Sequence, residues 1–282
     1  MRISGVEEAK GGIRIGGLKI NNLRYADDTT LAASSEEGLR HLIEIVKGTS
    51  ESAGLFLNIN KTKVMTNTNL KTFRAGNEII EVVKSFIFLG STLDEGGECK
   101  ADVVKRLAMG RVAMAGLSKI WKDRDISIGT KSRLVRALVF TVATYGCETW
   151  TTRKEEIKKI NAFENWCWRR MLRISWTAKR TNISIWEQVG RQYTLENEIT
   201  KRKLTYFGHV MRSDDSLEKA LILAMSDGKR KRSRPRTRWM DIIKEVTGLN
   251  MQQLAVLTRD RNEWRKKVMA VTRGRIRPDG TR

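Results

Sequence analysis

Only 2 of the 282 residues are proline, and only 2 are histidine. With so little proline, long helices run with few interruptions. With so little histidine, a histidine-based metal centre has few candidates. The 3 cysteines, Cys99, Cys147 and Cys167, form no CxxC pair, and their odd count does not build a disulfide framework. They read as buried or half-buried thiols in a reduced, intracellular setting. A zinc site from Cys147, Cys167 and His209 lacks ligand spacing. No apolar run approaches ~20 residues, so no spanning helix and no membrane partner are expected. The opening MRISGVEEAKGG has neither a signal core nor a transit-peptide composition. Acidic residues are also scarce, 32 against 54 Lys plus Arg, which leaves a net charge of +22. Such a surface repels itself unless it meets a polyanion, and nucleic acid is the leading partner.

What is present suggests roughly two domains. LKINNLRYA (18–26) and TTLAA (29–33) are strand-like and flank Asp27-Asp28, a turn-forming pair. This predicts a hairpin with carboxylates at its tip. Ser34 as N-cap and Glu37 as capping-box partner then open a helix with Leu39, Leu42, Ile43 and Val46 on one face, ended by Gly54. LFLNIN (55–60) and KVMTN (63–67) suggest more strand. Gly76-Asn77 signals a turn, with EIIEVV (78–83) and SFIFLG (85–90) as strands. After Gly90, amphipathic stretches at about 99–121, 127–145, 152–174 and 193–212 predict helices. Residues 227–238 predict an exposed basic loop. A small helical tail follows, containing Trp239, Ile242, Ile243, Val246, Trp264 and Val268.

Positive charge is densest at Lys201-Arg202-Lys203 and at Lys229, Arg230, Lys231, Arg232, Arg234, Arg236 and Arg238. These are the candidate phosphate contacts, with affinity expected to fall steeply with salt. KRKRSRPR also resembles a nuclear import signal, so nucleus and cytoplasm are both expected locations. Trp166 and Trp168 suit either stacking on bases or helix packing. His209 suits a ligand, a base or a structural role.

Carboxylates at a hairpin tip suit phosphoryl transfer, where divalent ions stabilise the attacking and leaving oxygens. Tyr25-Ala26-Asp27-Asp28, within INNLRYADDTTLAA, resembles the YxDD hairpin of reverse transcriptases. GLFLNINKTKVM (54–65) and FIFLGSTLD (86–94) resemble the polymerase segments that follow it, and the wording is closest to non-LTR (LINE-type) retrotransposon endonuclease/reverse transcriptase proteins. LVFTVATYGCETW (138–150), FENWCWRRMLRISW (163–176), KLTYFGHVMR (203–212) and RSRPRTRWMDII (232–243) resemble the region behind the family's palm, so the likeness spans most of the chain.

The resemblance implies the C-terminal part of an RNA-directed DNA polymerase. Asp27 and Asp28 would be its catalytic, metal-holding acids, with Mg²⁺ or Mn²⁺ as cofactor. Lys61 would handle nucleotide or pyrophosphate. Tyr25, Ala26, Phe88, Leu89 and Gly90 would place nucleotide and primer. RNA, DNA and a deoxynucleotide are the implied partners. The fold class is α+β: a partial palm over 1–95, a helical thumb-like region over 96–150, a basic helical region over 151–226 and a basic tail over 227–282. Only 24 residues precede Tyr25, so the family's upstream aspartate, fingers and endonuclease are expected to be missing. The chain alone is therefore expected not to synthesise DNA. The alternative is a non-catalytic nucleic-acid-binding remnant or a domesticated retroelement protein.

Overall fold

The computed structural model describes residues 12–15, 17–190, 193–214, 216–224 and 237–273. They form an α+β chain, with short strands first and helices after. β1 (Ile13–Ile15) and β2 (Leu18–Ile20) form one hairpin, and β3 (Asn22–Tyr25) and β4 (Asp28–Leu31) form another. LKINNLRYA is thus two strands in two sheets, and Asp28 opens β4 rather than lying in the turn.

α1 (Glu36–Ser52) starts one residue later than the sequence suggested. Ser35 is its N-cap, accepting the Gly38 N–H. Its end is as expected: Gly54 N–H and Leu55 N–H donate to the carbonyls of Glu51 and Ser50, a Schellman closure. LFLNIN is not strand. Asn58 makes a turn instead, its carbonyl accepting the Thr62 N–H and its side chain accepting the Lys61 N–H. KVMTN keeps only the two-residue β5 (Lys63–Val64). β5 pairs in parallel with β7 (Glu78–Val82), which pairs antiparallel with β6 (Thr72–Ala75). Gly76-Asn77 therefore joins β6 to β7, not β7 to the next strand. β8 (Ser85–Phe88) and β9 (Ser91–Asp94) close the strand series.

The chain divides into two compact units. The strand-rich unit reaches Ile87 and takes in Asp94–Gly96 and α9 (Leu217–Ala224). Its core is small: Ile43, Val64, Phe73, Ala75 and Ile80, with Leu42 beside it.

The helical unit contains Phe88–Leu93, α2 (Lys100–Gly116), α3 (Ser118–Lys122), α4 (Ile128–Leu134), α5 (Thr141–Ala143), α6 (Lys154–Met171), α7 (Asn182–Val189) and α8 (Leu195–Arg212). Between α4 and α5 the rod widens into a π-helical turn, Val135–Phe140. α10 (Trp239–Thr247), α11 (Met251–Arg259) and α12 (Arg261–Arg273) complete this unit. One core runs from Val103 through Val139, Trp150, Phe163 and Trp168 to Ile199, across the boundary expected at 150. Each such fully buried large side chain contributes ~1.5–3 kcal/mol. Gly110 lets α2 approach α6: a Cβ there would stand 2.7 Å from the Phe163 ring. No helix among the described residues is long and apolar enough to cross a membrane.

Candidate functional site: the Asp27–Asp28 hairpin and the Leu89–Gly90 turn

Tyr25 pairs with Asp28, so β3 and β4 are joined by only Ala26 and Asp27. Ala26 adopts φ 54°, a left-handed conformation that costs an L-residue roughly 1–2 kcal/mol. This tight reversal puts both carboxylates at the apex. Asp27 and Asp28 are exposed, and no ion pair or hydrogen bond holds either side chain among the described residues. Tyr25 is 64% exposed beside them. An apex of this kind leaves both acids free to meet an external cation or phosphate-bound metal.

Mg²⁺ uses one or two protein carboxylates and fills its remaining sites with water and phosphate. Two adjacent aspartates suit ligation of one such hydrated ion. A two-ion centre needs more anionic donors. Among the described residues, no group of three His, Cys, Asp or Glu could hold a metal. This donor set does not fit a two-ion centre, and no catalytic step can be derived from it.

Lys61 is exposed in the Asn58 turn, and no hydrogen bond or ion pair ties it to Asp27 or Asp28. Phe88 ends β8 half-buried, while Leu89 and Gly90 form the turn into β9 with φ 46° and 80°. This turn recruits residues the sequence did not single out. The Tyr145 hydroxyl donates to the Leu89 carbonyl at 3.0 Å, and Arg106 donates to the Gly90 carbonyl at 2.5 Å. The Thr92 N–H donates to Asp102, whose other oxygen accepts the Trp150 indole N–H, both at 2.8 Å. Tyr145 and Trp150 lie in a quoted motif, LVFTVATYGCETW, but its periodicity carried no hint of what they hold.

The basic candidates separate. Lys201 is exposed, and Arg202 is half-buried with its guanidinium 3.2 Å from Glu198. Lys203 corrects the reading of this run as one surface patch. It is 3% exposed, and its ammonium donates to the Trp150 carbonyl at 2.6 Å. Burial pushes it down to about 8. Arg238 is the N-cap residue of α10, and its N–H donates to Asp241. Lys229, Arg230, Lys231, Arg232, Arg234 and Arg236 lie outside the described residues.

Trp168 is buried with its indole on Glu164, and Trp166 stacks on Phe163 under the Arg170 guanidinium. Trp168 therefore belongs to the core, and Trp166 packs against it. Cys147 and Cys167 are buried, and burial pushes the Cys147 thiol up to about 12 and the Cys167 thiol higher still. His209 is exposed on α8.

Residues 6–93 match the family model described as reverse transcriptase (RNA-dependent DNA polymerase). The chain is also 28% identical over 273 residues to a transposon-derived protein of Caenorhabditis elegans, covering 89% of this chain and 96% of that protein. Together the two similarities support a retrotransposon reverse transcriptase, with nucleic acid as its partner.

Proposed function

We propose that the chain serves a non-LTR (LINE-type) retrotransposon as part of its RNA-directed DNA polymerase. Asp27 and Asp28 supply carboxylates to the divalent-metal site, Lys61 and the Leu89–Gly90 turn deal with nucleotide and primer, and the helical unit holds the RNA–DNA hybrid. The observation that carries this reading is the free aspartate pair at the apex of a two-residue hairpin, inside the stretch that matches reverse transcriptases. The net charge of +22 supports the hybrid as ligand, because each neutralised phosphate releases counterions. In isolation this polypeptide binds nucleic acid and does not synthesise DNA, since its described residues bring no third carboxylate to the pair. Mg²⁺ or Mn²⁺ is the implied ion. The same lack of a third carboxylate favours a second reading, a nucleic-acid-binding protein without catalysis.

Primer extension on an RNA template, with Mg²⁺ or Mn²⁺, is run beside fluorescence anisotropy on the same hybrid across a KCl series. Submicromolar binding that weakens steeply with salt, with no incorporation, is the expected pair of results. Asp27-dependent incorporation would overturn the inactivity. Absent or salt-insensitive binding would remove the nucleic-acid reading altogether.

A further inference from the structure

We propose that Tyr145 and Arg106, braced by Asp102 and Trp150, are positioning residues that latch the Leu89–Gly90 turn in its left-handed form. The inference rests on reading this hairpin as the element that holds a primer end. A two-residue turn with both central residues at positive φ normally carries Asn, Asp or Gly at its first central position. Here that residue is Leu89. A side chain held in this region persists where surrounding contacts over-determine it, and such positions cluster at ligand clamps.

The contacts are on four successive residues. The Leu89 carbonyl takes the Tyr145 hydroxyl, and the Gly90 carbonyl takes Arg106. The Arg106 guanidinium lies 4.2 Å from the centroid of the Tyr145 ring, so the two grips brace each other. Ser91 abuts Gly146, whose φ of 69° favours glycine and where a Cβ would stand 2.8 Å from the Ser91 hydroxyl. The Thr92 N–H is held by Asp102, one helical turn before Arg106 on α2 and itself held by Trp150. Tyr145, Gly146 and Trp150 thus come from a single six-residue stretch.

Burial does not demand this arrangement. Leu89 and Tyr145 are both exposed, and water could satisfy carbonyls at an exposed turn. A buried arginine and a tyrosine hydroxyl placed there specify the shape of the tip rather than rescue stranded polar groups.

The test uses the full chain with Tyr145→Phe, which removes one hydroxyl and keeps the ring, and the double variant Tyr145→Phe/Leu89→Gly, in which the turn no longer strains a side chain. Amide hydrogen exchange is read over 88–93. Anisotropy compares an RNA–DNA hybrid carrying a recessed DNA 3′ end with the same hybrid blunt-ended. The wild-type chain should prefer the recessed end. Tyr145→Phe should speed exchange over 88–93 by roughly 2- to 10-fold and reduce the end preference by a similar factor. Blunt-hybrid affinity should stay unchanged, and the double variant should move both readouts back toward wild type. A general folding defect would not be relieved by a glycine at 89.

Unchanged exchange in Tyr145→Phe overturns the latch. Faster exchange with an intact end preference overturns its positioning role. A wild-type chain with no end preference, but with Tyr145→Phe still speeding exchange, overturns the primer-holding reading of the hairpin and leaves the latch as a fold contact alone.

Discussion

Replacing Lys203 by Met should change how stability depends on pH, and by an amount the structure sets. The side chain is buried and its ammonium is held by one carbonyl, that of Trp150. Burial is the main cause that lowers it from 10.5 to about 8, partly opposed by the Cys147 and Cys99 thiols. Below pH 8 the lysine is charged in both the folded and unfolded chains, and the full burial cost is present. Between pH 8 and 10.5 the folded chain has released this proton while the unfolded chain keeps it. Stability from this group therefore rises with pH across that window. At ~1.36 kcal/mol per pH unit, the 2.5-unit gap between 10.5 and about 8 amounts to about 3 kcal/mol. Urea unfolding at pH 7 to 10.5 measures it. All 8 tryptophans lie in the helical unit, so their fluorescence reports that unit's unfolding. The wild-type value minus that of Lys203→Met should climb by about 3 kcal/mol over the window, while the thiol titrations largely cancel in the difference. A flat difference would refute the burial of a lysine here. Nucleic-acid affinity should be untouched by Lys203→Met and reduced by Lys201→Met, measured by anisotropy at low salt.

Gly208→Ala should destabilise the helical unit. Its Cβ would stand 2.2 Å from the Trp264 indole nitrogen, which is tied to the Leu204 carbonyl and cannot easily retreat. Overpacking outweighs the helix-propensity gain of ~1 kcal/mol, for a net loss of about 2 kcal/mol seen as a lower Tm. Thiol labelling of the native chain at pH 8 should be slow and confined to Cys99, because Cys147 and Cys167 are buried with thiols pushed far up. Cys99→Ser should abolish it, and native labelling of either buried cysteine would contradict the core packing.

What the sequence made legible was local. The aspartate hairpin, the Gly54 helix stop and the main helices each depend on residues a few positions apart, where turn chemistry and helical periodicity act. LFLNIN misled because its apolar alternation is strand-like, while Asn58 offers the backbone a turn that satisfies Lys61 and Thr62 at once. Lys201-Arg202-Lys203 misled for a geometric reason. Two residues along a helix are about 200° apart, so one end of a charge run faces water and the other faces the interior. The residues around the Leu89–Gly90 turn were not legible because they are distant in sequence: Tyr145 is 56 positions from Leu89, and Trp150 is 48 from Asp102.

The π-helical turn at Val135–Phe140 has a consequence for how this chain tolerates changes in length. An α-helix advances about 100° and 1.5 Å per residue. The wider turn absorbs a residue that regular pitch would not accommodate. Removing one residue between 135 and 140 would return the rod to ordinary pitch and rotate everything after it by about 100°. Tyr145 and Trp150 would then swing away from Leu89 and Asp102. The rod is thus phased rather than merely spaced: it accepts replacement of its side chains, while deletions and insertions are tolerable only ahead of it, in the exposed turn between Lys122 and Ile128.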